Sequence, residues 1–379
     1  MKKFSLFLCL TILLLASCIQ DEAPNAEADI ISCTLAEGEL KRPAIIENDK
    51  VTLIVDRSTD LTELAPLFEL TPGATISPEN GSKLNFMLPQ TYMVTSEDKK
   101  WQKEYTVVAS YGKEMPTSFA FEGLSIKEQS ERHFHVIQEV DEAQSVTLDW
   151  ASGNSAYTMA ANLDGLDENP TVFPTYSSDE GRNGRCAVMV TRKPKSDLVT
   201  IFAKVAAGNL FTGVFDLKGS SLSESATATH FGAGCVFYNK PVSLEGYYKY
   251  KAGPKMTVTE ELDGKDYGTY KDTWDIYGVL YDASQKPYLD GYNVLSDPSI
   301  VLIARLPYEK RTESSEWKHF FIEFQPFEGG TPFDAEKLRN GDYNLAIVMS
   351  SSEEGAYFNG AENSTLYVDD VELKYTEDF

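Results

Sequence analysis

Thr365-Leu366-Tyr367-Val368-Asp369-Asp370-Val371-Glu372-Leu373, preceded by Tyr343-Asn344-Leu345-Ala346-Ile347-Val348-Met349-Ser350, decides the fold. Both runs are rich in β-branched and aromatic residues and are bounded by turn formers, as strands require. Working outward, the same pattern returns at Ser145–Trp150, Leu198–Val205, Ser299–Arg305 and His319–Phe324. Only Asp334–Asn340 reads as a helical turn or two. Many short strands, long Gly- and Ser-rich loops and no repeat of fixed period predict an all-β, jelly-roll-type sandwich over residues 117–376.

Toward the N-terminus, Val51–Val55 and Tyr105–Ala109 are also strand-like, and Leu70–Pro78 carries a Pro-Gly turn into another strand. These runs predict a smaller sandwich over 30–111. Gly112, Pro116 and the charges at Lys113 and Glu114 mark a linker between the two units. Residues 18–29, rich in Ala, Glu, Asp and Pro, read as a tether.

The chain has 379 residues with 58 acidic and 34 basic side chains, a formal charge of −24 that argues against nucleic acid as a partner. Four histidines and five cysteines are too few for a zinc-cluster or disulfide-framework protein of this length. Lys2 and Lys3 precede an apolar run from Phe4 to Leu15, the pattern of a signal peptide over 1–17. Leu15-Ala16-Ser17-Cys18 resembles the bacterial lipoprotein cleavage box, which implies acylation of Cys18. Ile19-Gln20-Asp21-Glu22 is similar to the acidic export signal of Bacteroidetes surface lipoproteins. The resemblance implies a lipid-anchored protein of the outer membrane, exposed at the cell surface. Of the remaining cysteines, Cys186 and Cys235 sit in apolar strand-like contexts and read as buried free thiols.

Aromatic residues make up 12% of the chain and carry its strongest functional signal. Sugar rings stack their C–H faces on Trp and Tyr, and their hydroxyls pair with amides and carboxylates. Trp150, Asn154, Tyr157, Tyr176, Asn209, Trp274, Tyr357, Phe358 and Asn359 stand in loop-like segments and are the candidate glycan contacts. Large aromatics are also the usual material of cores.

Four segments of the second unit carry a family resemblance: Trp150–Asn154, Ala206–Gly213, Leu244–Tyr250, and Ser350–Ala361 continued by Ser364–Val371. Together they resemble the putative carbohydrate metabolism domain of Bacteroidetes outer-membrane lipoproteins. That implies a β-sandwich similar to carbohydrate-binding modules and glycoside-hydrolase jelly rolls. Residues 30–111 are similar to the immunoglobulin-like N-terminal modules of such lipoproteins, in which aromatic residues, here Trp101 among them, belong to the core. By the same resemblance a structural calcium would lie between first and last strands, with Glu122, Asp369 and Asp370 as ligands. No other cofactor is expected.

Hydrolysis would need two carboxyl groups about 5–5.5 Å or roughly 6.5–9.5 Å apart. Glu139 and Asp141 only partly match an acidic catalytic strand. Asp272, Asp275, Glu323 and Glu353 are further candidates that the sequence cannot bring together. His133 and His135 have zinc-like spacing without a third ligand nearby. The expected function is non-catalytic recognition of a polysaccharide by a surface lipoprotein. A glycoside hydrolase and a cell-surface adhesin that binds a protein partner are the alternatives.

Overall fold

The computed structural model describes residues 24–37, 39–40, 43–55, 59–110, 115–217 and 225–376. Cys18, the signal segment and part of the tether and linker lie outside the described residues. In the N-terminal unit five strands run in the order 45–46, 50–54, 102–110, 90–95, 75–77, and Ile30–Thr34 pairs with Leu67–Leu70. Alternation places Val51, Leu53, Tyr92, Val94, Tyr105 and Val107 in one core with Phe68 and Cys33. Trp101 departs from the expected core role. It sits in the turn between two strands and is 63% exposed.

The larger unit stacks two antiparallel sheets, confirming the all-β reading. One has the order 175–178, 186–190, 365–376, 240–251, 314–323, with Ser118–Phe119 paired to the far half of the Thr365–Thr376 strand. The other runs 209–211, 343–350, 275–282, 300–305, 325–326. Period-two alternation sends Leu244, Tyr248, Leu366 and Val368 from the first sheet against Ile276, Leu280, Leu345 and Ile347 from the second. The opposite face of the second sheet is apolar too: Tyr277, Val279, Ala346 and Val348 pack with Phe211 and Phe231. A sheet apolar on both faces must be covered twice, and what covers this outer face forms the candidate site.

Two segments fold differently from the sequence expectation. Leu198–Val205 is not a strand: Asp197–Thr200 is one helical turn. Asn154–Leu163 is a ten-residue helix whose buried Asn154, Tyr157, Thr158, Ala160 and Ala161 follow helical spacing. Its N-cap, Gly153, offers no side-chain acceptor, so the usual start signal is missing. Cys33, Cys186 and Cys235 are buried, and no disulfide joins them. Among the described residues no helix is long and apolar enough to cross a membrane.

Candidate functional site

A cavity of about 220 Å³ opens on the outer face of the 275–282 sheet. It exceeds the ~150 Å³ of an engineered cavity that takes up benzene, so it has room for a substituted six-membered ring. The Asn154–Leu163 helix forms one wall through Tyr157 and Ala160, and Phe231, Tyr277 and Val348 line another part. Tyr292 and Tyr357 meet at the mouth with ring centroids 5.6 Å apart. Tyr292 is 41% exposed there. Phe358 follows in the left-handed conformation, φ 54°, and turns the 353–358 loop over the cavity.

Two carboxylates, Asp275 and Glu353, reach the same cavity. Register explains their meeting: Asp275 starts its strand opposite Ser350, the last residue of the neighbouring strand, and Glu353 lies just beyond that end. Arg305 ends the strand on the other side, next to Tyr277. Arg305 Nη2 lies 2.7 Å from Asp275 Oδ2 and 2.9 Å from Glu353 Oε1. Arg311 bridges the same pair at 3.3 and 3.2 Å, and its side chain is 2% exposed. Tyr270 donates its hydroxyl to Glu353 Oε2 at 2.7 Å. Burial alone would raise the Glu353 carboxyl; Arg311, Tyr270, Arg305 and Lys265 outweigh it and hold it below the usual carboxylate range. Two acids thus give the cavity a charged edge, and two guanidinium groups outside its lining hold them in place.

Asn209 supplies the free polar contact. Its Oδ1 accepts the Gly153 N–H at 2.8 Å, while its amide NH₂ has no partner among the described residues. Gly208 permits the backbone approach that places it, because a Cβ there would lie 2.3 Å from the Pro174 carbonyl. Asn154 is fully buried and spends its amide on Thr175, donating to the carbonyl at 2.7 Å and accepting from the N–H at 3.1 Å. It fixes the helix start rather than facing a ligand.

The cavity therefore gathers Asn154, Tyr157, Asn209, Tyr357 and Phe358 from the nine candidate glycan contacts. The other four do not reach it. Trp150 is 2% exposed, packs on Phe119 and Phe121, and donates to Glu139 at 2.8 Å. Trp274 is wholly buried between the sheets. Asn359 is a buried clamp that accepts the Thr259 N–H at 2.7 Å and donates to the Glu260 carbonyl at 2.7 Å. Tyr176 lies on the outer face of the other sheet beside Tyr367 and Trp317. Large apolar rings went to the interior because burying them removes the most apolar surface from water.

Of the six carboxylates considered for catalysis, Asp275 and Glu353 reach the cavity and the other four do not. Glu139 is 4% exposed and accepts the N–H groups of Ala120, at 2.9 Å, and Phe121. Asp141 caps its own turn through the N–H groups of Ala143 and Ser145. Asp272 accepts the hydroxyls of Ser352 and Ser364 at 2.7 and 2.6 Å and the Ala361 N–H at 2.7 Å. Glu323 is exposed on an edge strand. The expected calcium ligands do converge, on the 181–185 loop, but onto donors. Asp369 accepts the Arg182 N–H at 2.6 Å, Glu122 accepts the Arg185 N–H at 3.1 Å, and Asp370 pairs with the Arg182 guanidinium. Donors and a cation in those positions do not suit a second cation. His135 accepts the Ser177 N–H through Nδ1 at 3.1 Å, which takes that nitrogen out of zinc ligation. No group of three His, Cys, Asp or Glu placed for a metal occurs among the described residues.

Burial pushes the Glu139 carboxyl up to about 7 from an ordinary 4.5, against the opposing bonds from Trp150, Ala120 and Phe121. A carboxyl that holds its proton to higher pH when folded makes stability fall as pH rises through that interval. Relative to the parent protein, Glu139→Gln is expected to gain on the order of 3 kcal/mol between pH 4.5 and pH 8. Urea midpoints at the two pH values measure this, and a constant difference between the proteins refutes it.

Sequence reasoning missed Tyr292, Phe231, Arg305 and Arg311. Residues 120–374 match the family described as the putative carbohydrate metabolism domain, and residues 30–109 match a domain described as SGBP, N-terminal. The crystal structure of a putative glycoside hydrolase from Bacteroides thetaiotaomicron VPI-5482 is 39% identical, with a TM-score of 0.71, covering 95% of this chain and 100% of that one. A second putative glycoside hydrolase, from Bacteroides vulgatus ATCC 8482, is 36% identical, with a TM-score of 0.60, over 70% of this chain and 100% of its own. No protein of curated function matches the chain.

Proposed function

From the premise that the chain belongs to the putative carbohydrate metabolism domain family, we propose that its larger unit recognises a glycan without cleaving it. The supporting observation is the cavity in which the Tyr277, Tyr292 and Tyr357 side chains meet the free Asn209 amide and the Asp275 and Glu353 carboxylates. Rings present stacking faces, the amide donates to a sugar oxygen, and carboxylates accept from hydroxyls. The N-terminal unit serves as a spacer, and acylated Cys18 holds the protein at the outer membrane. Tyr357→Ala is expected to weaken binding about tenfold, the worth of one ring contact, with the unfolding midpoint unchanged. Calorimetric titration against a set of polysaccharides measures it. A folded protein that binds none of them refutes the proposal.

Hydrolysis is the second reading, favoured by the descriptions of the two solved relatives and by two carboxylates in one cavity. Its difficulty is the general acid, which must hold a proton near neutral pH. Glu353 is held below the usual range, and both acids are bonded to Arg305 and Arg311. Reducing-sugar release that Glu353→Gln abolishes would favour this reading over binding alone.

A further inference from the structure

Most of the cavity's wall is apolar, and its two carboxylates and the Asn209 amide lie together at one end. Tyr157, Ala160 and Val199 belong to one packed cluster that reaches the cavity and are 6, 4 and 5% exposed. Phe231, Val294 and Val348 reach it from a second cluster and are 5, 2 and 3% exposed. Asn209, Asp275 and Glu353 are grouped where the central strands begin or end. A bare sugar ring carries hydroxyls around its whole rim. Placed here, it would set some of them against the Ala160, Val199, Phe231, Val294 and Val348 side chains, which cannot hydrogen-bond, at the cost of desolvating them. A ligand that satisfies both parts has a hydroxylated ring at one end and an apolar group at the other.

We infer that the cavity takes a sugar bearing an aryl or acyl substituent, with the sugar on Asn209, Asp275 and Glu353 and the substituent against Tyr157, Ala160 and Val199. This rests on the glycan-binding reading and adds the ligand's second half. The Asn154–Leu163 helix is then a selectivity element, since it supplies the wall that an unsubstituted sugar leaves uncovered.

The test compares 4-nitrophenyl glycosides with methyl glycosides of the same sugars by calorimetry on the full chain, across glucose, galactose, xylose and mannose in both anomers. For the sugar that binds, the nitrophenyl form is expected to bind at least about tenfold more tightly and with a more negative heat-capacity change, because its ring leaves water. Ala160→Phe fills the wall in advance. It is expected to bring the nitrophenyl affinity down to that of the methyl glycoside measured on the same variant. Equal affinities of the two forms in the parent protein overturn the inference while leaving glycan binding intact. So does a nitrophenyl advantage that survives in folded Ala160→Phe, because the substituent then lies elsewhere. If the variant does not fold, the heat-capacity comparison in the parent decides: no difference between the two forms overturns the inference. Failure of every glycoside and every polysaccharide to bind removes both readings together.

Discussion

Asp275→Ala destabilises the larger unit by about 3–5 kcal/mol, the usual consequence of removing one partner of a buried ion pair. Asp275 is 1% exposed and Arg311 9%, and the aspartate shares both guanidinium groups with Glu353. Removing it leaves two cations on a single carboxylate, one of them cut off from water. Asp275→Asn keeps the shape and one acceptor, so it is expected to cost less. Because a two-unit chain need not unfold in one step, the midpoint should be followed by a signal from the larger unit. Tryptophan fluorescence serves, since Trp150, Trp274 and Trp317 lie there and Trp101 alone lies in the smaller unit. A loss below about 1 kcal/mol would mean that the cluster behaves as an exposed salt bridge.

Trp274→Ala has a comparable expected cost, about 3–5 kcal/mol, through a different cause. The ring is fully buried, lies 4.5 Å from the Tyr248 ring and donates from Nε1 to the Thr312 carbonyl at 3.2 Å. Truncation leaves a cavity between the sheets and removes one of that carbonyl's two donors, the Tyr248 hydroxyl being the other. A stacking platform for sugar would behave in the opposite way, losing ligand affinity while keeping its midpoint. Urea denaturation and polysaccharide titration on the same preparation separate the two, and an unchanged midpoint with lost binding would return Trp274 to the ligand surface.

What could be read in the sequence follows from the range of the interactions involved. Strands such as Tyr343–Ser350 and Thr365–Thr376 carry their burial pattern within a few residues, so alternation exposes them directly. The Asn154–Leu163 helix was hidden because its buried positions are mostly small residues and its cap is Gly153. Leu198–Val205 misled for the opposite reason. Val199 and Val205 are buried while Leu198, Ile201 and Phe202 stand exposed around a helical turn, and a short apolar run does not distinguish such a turn from a strand. At the site, Asn209, Tyr157 and Tyr357 could be named because residue type alone suggested them. Asp275 and Glu353 could be suspected but not paired, since only the register of two neighbouring strands puts them at one cavity. Arg305 and Arg311 carried no local signal, because their role exists only once those acids have met.

The three buried thiols among the described residues give each part of the fold its own clock. Burial pushes Cys33 and Cys186 up to about 12, so neither reacts as a thiolate until the structure around it opens. Cys33 is packed in the smaller unit, Cys186 beneath Tyr176 and Tyr367, and Cys235 between the large sheets. Alkylation over time, read peptide by peptide in a mass spectrometer, would therefore record how often each region breathes, without any engineered label.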